Sequence, residues 1–490
     1  MFTKPLDILI FFVVTTPIVG WVAPEAVRRK ILNLYACLGL LLSAYFLYEL
    51  YEDVRLKGTV LIIGSPPYYP PLGACLEIDM LSVFMAIVYL MIGLFVAVYS
   101  IKYMEHDTGL SQYYTLLLGM VAGMTGVAFA GDFFTLYIFW ELMCLTSYAL
   151  VVFRKERWAA VEAGFKYLMM SAAGSATILL AMSFLYGMTG TVNFASLASS
   201  LNGAAPNAWL HATLALLIVG FGIKAAIVPL HTWLPDAHPE APSPVSALLS
   251  GVMIETGLYG LCRILFPVFS FGVFGGLVIA LAVLTMTVGN FMALLQDDIK
   301  RLLAYSSIAQ IGYMLMGVGI GGGTALIGTF LHVFNHALMK GLAFMAAGAL
   351  WYVSGTRSLK ELEGIGRRMP VTTIALAVSF FGLMGVPGTN GFISKFLYIF
   401  RAAFDEGLAW LGIVGIVNSV FSVGYYLRVL QLLAFRPVKI SKAEEAPVFM
   451  ITVLCVMALA IILLGVWPEP VVTLANEASK ALERYIGGAL

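Results

Sequence analysis

Residues 218–257 read IVGFGIKAAIVPLHTWLPDAHPEAPSPVSALLSGVMIETG, the stretch that departs most from the composition of an ordinary membrane helix. An apolar run carries Lys224 and is broken at Pro229, a polar and proline-rich connection follows, and the next apolar run carries Glu255. Proline lacks the backbone N–H and clashes with the turn before it, so a helix must stop or break there. An ionisable group at the bilayer centre costs about 3 kcal/mol on insertion scales and usually faces a partner or water. The stretch therefore predicts a broken span that places charged side chains along a wet path.

The composition of the whole chain indicates an integral membrane protein. Of its 490 residues, 61% are hydrophobic and 11% are charged, whereas soluble domains carry about 25% charged residues. The formal net charge of +1 gives no reason to expect nucleic acid as a partner. The five cysteines are scattered, with no spacing typical of a metal site, a cluster or a disulfide framework. We therefore predict no catalytic residue, no metal and no cofactor in this chain.

Apolar runs long enough to cross about 30 Å of hydrocarbon predict an all-α fold with about fourteen transmembrane helices. The runs lie near 5–23, 31–50, 77–100, 112–130, 133–153, 161–187, 208–229, 244–266, 271–295, 301–320, 324–353, 371–399, 407–434 and 447–467. The long, proline-rich segment 51–76 predicts a surface cap, and the uncharged segment 188–207 predicts a linker.

The distribution of basic residues predicts an orientation. If the N-terminus lies outside, the inner loops hold 16 of the 28 Lys and Arg residues, Lys300 among them, and the outer side holds 7, Arg263 among them. Inner loops of membrane proteins carry the excess of positive charge. We therefore expect a multi-pass protein of the cell membrane, in contact with the lipid bilayer, with both termini outside.

Two carboxylates and a lysine lie deep within apolar runs. Glu141 stands about nine residues into the fifth span, and Lys224 is the natural cation to pair with it, because a buried carboxylate needs a nearby positive charge to stay ionised. Glu255 stands in the middle of the eighth span. We predict that all three carry protons or ions. The alternatives are an interfacial glutamate and a lysine that snorkels to the membrane surface.

The eleventh span reads TFLHVFNHALMKGLAF and carries His332, His336 and Lys340 four residues apart, on one helical face. Imidazole titrates near neutral pH, so this stripe predicts a proton wire. Zinc is disfavoured because the glutamate that accompanies a catalytic histidine pair is missing, and a purely structural stripe is the remaining alternative. His231 and His238, beside the break at Pro229, either join the wire or satisfy loop backbone groups.

Lys395 follows Pro387 in the twelfth span, as Lys224 precedes Pro229 in the seventh. Two proline-interrupted spans that each carry a lysine suggest paired discontinuous helices in two repeats, a transporter pattern. We predict that Lys395 also carries ions. Lys166, one turn after Glu162, is as consistent with an interfacial ion pair as with transport.

Several long motifs resemble one known family, the antiporter-like subunits shared by respiratory complex I, energy-converting membrane-bound hydrogenases and Mrp-type sodium/proton antiporters. The matching text covers roughly residues 75–435. It comprises FWELMCLTSY at 139–148, GIKAAIVPLHTWLPDAHPEAPSPVSALLSG at 222–251, DIKRLLAYSSIAQIGYMLMG at 298–317, HVFNHALMKGLAFMAAG at 332–348 and GVPGTNGFISKF at 385–396.

The resemblance implies two inverted five-helix repeats within the fourteen-helix fold. The repeats would divide the chain into 1–110 (helices one to three), 111–268 (four to eight), 269–435 (nine to thirteen) and 436–490 (helix fourteen and a short tail). It also implies a central hydrophilic axis for protons. The lysine at the position of Lys395 resembles that of the D-type Mrp subunit and of the complex I subunits of similar length. Glu255 departs from the family pattern, because a lysine usually stands in the eighth span, and this reversal of charge leaves room for cation binding or a blocked half-channel.

By this resemblance, the chain is expected to be a proton- or sodium/proton-translocating subunit of a multi-subunit energy-converting oxidoreductase of the hydrogenase type. Its partners would be other membrane subunits, further antiporter-like subunits among them, and soluble iron–sulfur redox subunits. One alternative is the D-type subunit of an Mrp antiporter without redox partners. The other is a spacer that Glu255 has made inactive in transport.

Overall fold

Helices dominate the computed structural model, which describes residues 4–63, 73–201, 207–269, 271–440 and 443–486. The helices before the first break are α1 (Lys4–Val22), α2 (Glu25–Lys57), α3 (Met80–Tyr103), α4 (Leu110–Phe129), α5 (Phe133–Val151), α6 (Trp158–Thr189), α7 (Phe194–Leu201) and α8 (Ala208–Lys224). They are followed by α9 (Leu234–Glu240), α10 (Ser243–Leu248), α11 (Ile254–Val268), α12 (Phe271–Leu294), α13 (Ile299–Ile320) and α14 (Gly322–Ser354). The last are α15 (Pro370–Met384), α16 (Asn390–Phe392), α17 (Arg401–Asp405), α18 (Ala409–Phe435), α19 (Val448–Val466) and α20 (Glu469–Ile486).

The predicted membrane fold with about fourteen spans is confirmed. Among the described residues, 11 helices are long and apolar enough to cross a bilayer, the joined segment Ser243–Val268 counting as one. The shorter apolar helices α8 and α15 and the 20-residue helix α4 occupy the other three predicted spans. The predicted borders at 268/269 and 435/436 coincide with the ends of α11 and α18. The division into inverted repeats stays a prediction.

A two-stranded antiparallel sheet joins α2 to α3. Strand β1 (Val60–Ile63) pairs with β2 (Cys75–Ile78), with Val60 opposite Ile78. The cap predicted for 51–76 includes residues 64–72, which lie outside the described residues. The segment predicted as a linker, 188–207, contains α7.

Two spans are broken near the middle, as predicted. In the seventh, α8 ends at Lys224 and helix resumes at Leu234. Residues 234–240, predicted as part of a polar connection, instead form α9, which buries His238 completely. A proline at the start of a helix costs no hydrogen bond, and Pro235 holds that position. In the twelfth span, α15 ends at Met384 and α16 begins at Asn390.

The most deeply buried spans lie at the centre of the molecule. The spans formed by α10–α11 and by α13 are wholly surrounded by protein, whereas α1 and α2 expose most of their apolar surface. Two π-helical segments interrupt the interior helices, Leu249–Met253 between α10 and α11, and Ile393–Phe400 between α16 and α17. Such segments widen a helix locally and are frequent at functional sites. The first ends two residues before Glu255 and the second contains Lys395.

Candidate functional site

Helix α14 carries three of the predicted site residues. His332, His336 and Lys340 lie on one of its faces, as their spacing predicts, and all three side chains are fully buried. Each one contacts a different neighbouring element, so the stripe joins separate parts of the fold. Within the described parts of the chain, no group of three or more His, Cys, Asp or Glu side chains is placed to hold a metal.

Glu255 and His336 form a direct contact between the eighth and eleventh spans. The Glu255 Oε1 atom lies 2.6 Å from Nδ1 of His336, and both side chains are 0% exposed. Glu255 Oε2 and His336 Nε2 have no hydrogen-bond partner among the protein atoms described. The two groups therefore can share one proton, and each keeps a second polar atom free for exchange with water or a neighbour.

His332 continues the stripe one turn away, with its ring centroid 6.2 Å from that of His336. Its Nε2 lies 2.9 Å from Gln310 Oε1 and its Nδ1 lies 2.9 Å from Ser394 Oγ. Because the Gln310 amide donates to the Leu383 carbonyl, its oxygen is the acceptor for a His332 Nε2–H. The Nδ1 atom then accepts from the Ser394 hydroxyl, which fixes one tautomer of His332.

Lys395 follows Ser394 in the chain and shares the Leu383 carbonyl with Gln310 as a hydrogen-bond acceptor. Its Nζ donates to Ser419 Oγ at 2.7 Å and to the Leu383 carbonyl at 3.1 Å, and it stands 4.5 Å from the centre of the Tyr313 ring. The carbonyl of Leu383 lies in the last turn of α15, where the break in the span leaves carbonyl groups without helical partners. The broken helix therefore supplies the ligands of a fully buried ammonium group.

Lys340 occupies the other end of the stripe. Its Nζ donates to the Leu303 carbonyl at 3.1 Å and to the Ser306 hydroxyl, both on α13. The aromatic face of Tyr426 lies 5.9 Å away. No carboxylate stands within 4.0 Å of Lys340 in the described ranges, so its charge is balanced by dipoles alone.

Lys224 and Glu141 do not form the predicted ion pair. No Glu141 oxygen lies within 4.0 Å of Lys224 Nζ in the part of the chain that the structure describes, and the lysine donates to Tyr167 Oη at 2.9 Å. It also faces the ring of Tyr148, 5.3 Å away. Tyr148 is seven residues beyond Glu141 on α5, about 10 Å along the helix axis at 1.5 Å per residue. Lys224 therefore meets α5 beyond the turn that carries the carboxylate.

Glu141 stands at the edge of an outward face of α5. It is half-buried, its Oε1 has no hydrogen-bond partner within the described protein, and the flanking side chains of Phe134, Ile138 and Leu145 are all at least 50% exposed. A carboxylate beside an exposed apolar face is costly in lipid. This face is therefore suited to contact with protein.

The remaining predicted residues lie at the break after α8 or on α6. His231 is half-buried, with an unpartnered Nδ1, in the break between α8 and α9. His238 is fully buried, and neither ring nitrogen has a hydrogen-bond partner among the described atoms. Lys166 forms exposed ion pairs with Glu162 (2.8 Å) and Asp236 (3.4 Å), which fits the interfacial interpretation.

Two residues that the charge count places in loops are buried. Lys300, in the first turn of α13, is 2% exposed, and Arg263, on α11, is 4% exposed and binds Asp79 at 2.5 Å. Sequence analysis missed them because each lies at the edge of an apolar run, where a solvated side chain is the usual outcome. It also missed Gln310 and Ser419, whose uncharged polar side chains give no signal in a single sequence.

Two family models match the chain. The family model described as NADH:quinone oxidoreductase/Mrp antiporter, transmembrane, matches residues 130–422, and the one described as NADH-ubiquinone oxidoreductase (complex I), chain 5 N-terminus, matches residues 71–114. The chain is 35% identical over 472 residues to F(420)H(2) dehydrogenase subunit N of Methanosarcina mazei, an alignment that covers 93% of both proteins. It is 34% identical over 443 residues to NADH-quinone oxidoreductase subunit N of Desulforudis audaxviator, covering 84% of this chain and 87% of that one.

Solved structures share the fold. A chain of the membrane-bound sulfane sulfur reductase, an archaeal respiratory membrane complex, superposes with a TM-score of 0.90 at 30% identity over 99% of both chains. A chain of the Mrp complex from Dietzia superposes with a TM-score of 0.87 at 23% identity over 100% of both chains, a likeness of fold alone.

Proposed function

Since this chain belongs to the NADH:quinone oxidoreductase/Mrp antiporter family of transmembrane proteins, we propose that it translocates protons as an antiporter-like subunit of a multi-subunit energy-converting oxidoreductase complex. The site residues are Glu141, Lys224, His231, His238, Glu255, His332, His336, Lys340 and Lys395. The names of its relatives, dehydrogenase and oxidoreductase subunits, support the redox setting.

One observation carries the proposal. The buried groups Glu255, His336 and His332 follow one another from the eighth span to the eleventh, through a 2.6 Å contact and a 6.2 Å ring separation. Gln310 binds His332 and donates to the Leu383 carbonyl, which also accepts from Lys395 in the twelfth span. Ionisable groups are costly at membrane depth. Their placement in one connected row therefore favours transport over a purely structural role.

The chemistry of each group suits proton transfer. The Glu255 carboxylate attracts a proton to His336, and at 2.6 Å with an effective dielectric constant of about 20 the attraction between the two charges is about 6 kcal/mol. Much of this offsets the cost of removing both charges from water. His336 passes the proton towards His332 through a water molecule, because 6.2 Å between ring centroids is too long for a direct bond. Lys395 first releases its ammonium proton to the far side, and its neutral amine then receives the proton from the row.

Conformational change at the broken spans drives release. Lys395 is held by the Leu383 carbonyl and Ser419, so movement of α15 against α18 changes the number of its hydrogen bonds and its affinity for a proton. Electron transfer in soluble iron–sulfur subunits would supply the movement.

The basic side of the molecule is formed by the loops between α3 and α4, α5 and α6, α12 and α13, α14 and α15, and α18 and α19. Loops rich in Lys and Arg face the cytoplasm in most membrane proteins. We therefore place the basic side in the cytoplasm and both termini outside.

The half-buried Glu141 carboxylate supports contact with a neighbouring membrane subunit at α5. A further antiporter-like subunit is the partner we propose for this face. A cationic or hydrogen-bonding side chain of that subunit would bind the unpartnered Oε1 of Glu141.

Purification of the complex from native membranes in mild detergent tests the redox setting. We expect every preparation to contain iron–sulfur subunits and other membrane subunits in fixed ratio. A preparation that holds only small and antiporter-like membrane chains would instead assign the protein to an Mrp-type sodium/proton antiporter, and a flux unaffected by Glu141→Gln would favour an inactive spacer.

A further inference from the structure

Lys300 is a buried lysine with no carboxylate in direct contact among the described residues. It is 2% exposed, its Nζ donates to the Ala241 carbonyl at 2.6 Å, and no carboxylate oxygen lies within 4.0 Å of it in the described ranges. An ammonium group has three N–H donors, and a buried donor without an acceptor costs free energy. The remaining donors of Lys300 therefore need water.

A small cavity beside Lys300 provides room for that water. A small, partly open cavity of about 190 Å³ lies between Lys300, Ser243, Tyr103 and the arginines Arg154 and Arg357, and its narrow interior has room for about one water molecule. The arginine side chains, 16% and 21% exposed, close the cavity towards the basic side. Water on that side is therefore one layer of side chains away from Lys300.

His238 lies on the inner side of Lys300. Ala241, whose carbonyl binds Lys300, follows His238 by three residues on the same short segment. The His238 ring stacks on Phe344 with centroids 4.6 Å apart, and Phe344 is one helical turn from Lys340 on α14. The His238 ring therefore stands between the segment that binds Lys300 and the turn of α14 that carries Lys340.

Both nitrogens of His238 are buried without a partner in the described protein. A neutral imidazole presents one donor and one acceptor, and unpaired buried polar atoms are rare enough to need an explanation. Water between His238 and each lysine would satisfy both nitrogens at once. The same water would connect them for proton transfer.

Helix α13 connects Lys300 to the residues that bind Lys340 and His332. Lys300, Leu303, Ser306 and Gln310 stand three to four residues apart on the face that meets α14. The Leu303 carbonyl and the Ser306 hydroxyl hold Lys340, and Gln310 holds His332. One face of α13 thus leads from the basic side to the buried histidines.

We propose that protons are taken up from the basic side through Lys300 and His238 and delivered to Lys340, a route that rests on the transport function proposed above. The Lys300 ammonium gives a proton through water to one ring nitrogen of His238. His238 then gives the proton on its other nitrogen to the neutral amine of Lys340. A proton from the basic side then reaches the Lys300 amine through the cavity water, which is left unchanged, and rotation of the imidazole restores its tautomer.

The test uses Lys300→Arg in the complete complex, reconstituted in liposomes. Arginine keeps the positive charge and a donor for the Ala241 carbonyl but does not release its proton, so a structural role predicts normal transport and a relay role predicts loss. The complex is driven by the electron donor of its redox subunits, or by a sodium gradient if it has none. Entrapped pyranine follows proton uptake. We expect a fall of about 100-fold, the lower end of what a positioned proton-transfer group contributes.

Lys439→Arg is the matched control, because Lys439 lies on the same side, 52% exposed, in an ion pair with Glu363. It should leave uptake unchanged. His238→Gln tests the same route without altering the bond of Lys300 to Ala241, and it decides the matter if Lys300→Arg fails to assemble. If both variants take up protons at the native rate while Lys395→Arg is inactive, the uptake route through Lys300 and His238 is wrong and the transport function stands. No proton movement by the unaltered complex would overturn the function itself.

Discussion

Replacing Glu255 by Gln removes the ionisable group at the centre of the buried row and keeps a side chain of nearly the same size. In the native pair, Oε1 lies 2.6 Å from Nδ1 of His336, and the amide oxygen of Gln still accepts that bond. A neutral hydrogen bond contributes about 1 kcal/mol, and a charge-assisted one is about twice as strong. We therefore expect the free energy of unfolding to fall by about 1 kcal/mol, too little to prevent assembly.

The effect of Glu255→Gln on transport is much larger. The variant loses the attraction of about 6 kcal/mol that stabilises a proton on His336 beside the positive charge of Lys340. Even if desolvation offsets more than half of that attraction, about 2.7 kcal/mol remains, which corresponds to about 100-fold in rate. We expect the number of protons moved per electron to fall by about this factor.

The assay measures proton movement with entrapped pyranine and electron transfer with the donor of the reconstituted complex. Glu363→Gln is the control, because Glu363 lies at the surface in an ion pair with Lys439. A native proton-to-electron ratio in Glu255→Gln would refute the reasoning. Higher transport in Glu255→Lys than in the native complex would support the inactive spacer instead.

Three further predictions concern separate sites. Lys395→Arg keeps the charge beside Ser419 but holds its proton, so proton flux should fall about 100-fold while the complex still purifies intact. Asp79→Asn removes the carboxylate that lies 2.5 Å from the buried guanidinium of Arg263. Because breaking a buried ion pair costs about 3–5 kcal/mol of the free energy of unfolding, scanning fluorimetry should show a lower melting temperature. Hydrogen bonds from Arg428 and Lys360 hold the pKa of Asp297 below its ordinary 3.8. The stabilisation that these hydrogen bonds give the fold is present above about pH 4 and is lost as the pH falls through the lowered pKa. Because Asp297 is half-exposed, Asp297→Asn should lower the free energy of unfolding by at most about 1 kcal/mol at low salt and by nothing measurable at 1 M salt.

The sequence reveals which residues are unusual but not what they contact. A charge within an apolar run is visible without a structure, so Lys224, Lys395 and the His332 stripe can be identified by position. The break near Pro229 follows from the missing backbone donor. The partner of Glu255 is 81 residues away on another span, and pairing at that distance depends on how the helices pack.

The predicted ion pair between Glu141 and Lys224 is wrong for the same reason, because it also depends on how the helices pack. Both residues lie inside spans, but the depth of Lys224 relative to α5 is set by where α8 ends and by its contact with Tyr167. The π-helical segments were also unforeseen, because one extra residue in a helical turn leaves no mark on hydrophobic periodicity. Each segment adjoins a functional residue, Glu255 in one case and Lys395 in the other.

Proton movement by the purified, reconstituted complex in sodium-free buffer tests the central claim most directly. Entrapped pyranine would report protons while ²²Na⁺, added in a parallel experiment, would report sodium. The row of carboxylate, imidazole and ammonium groups predicts full proton translocation without sodium. Sodium uptake with no proton movement, or no ion movement during electron transfer, would contradict it.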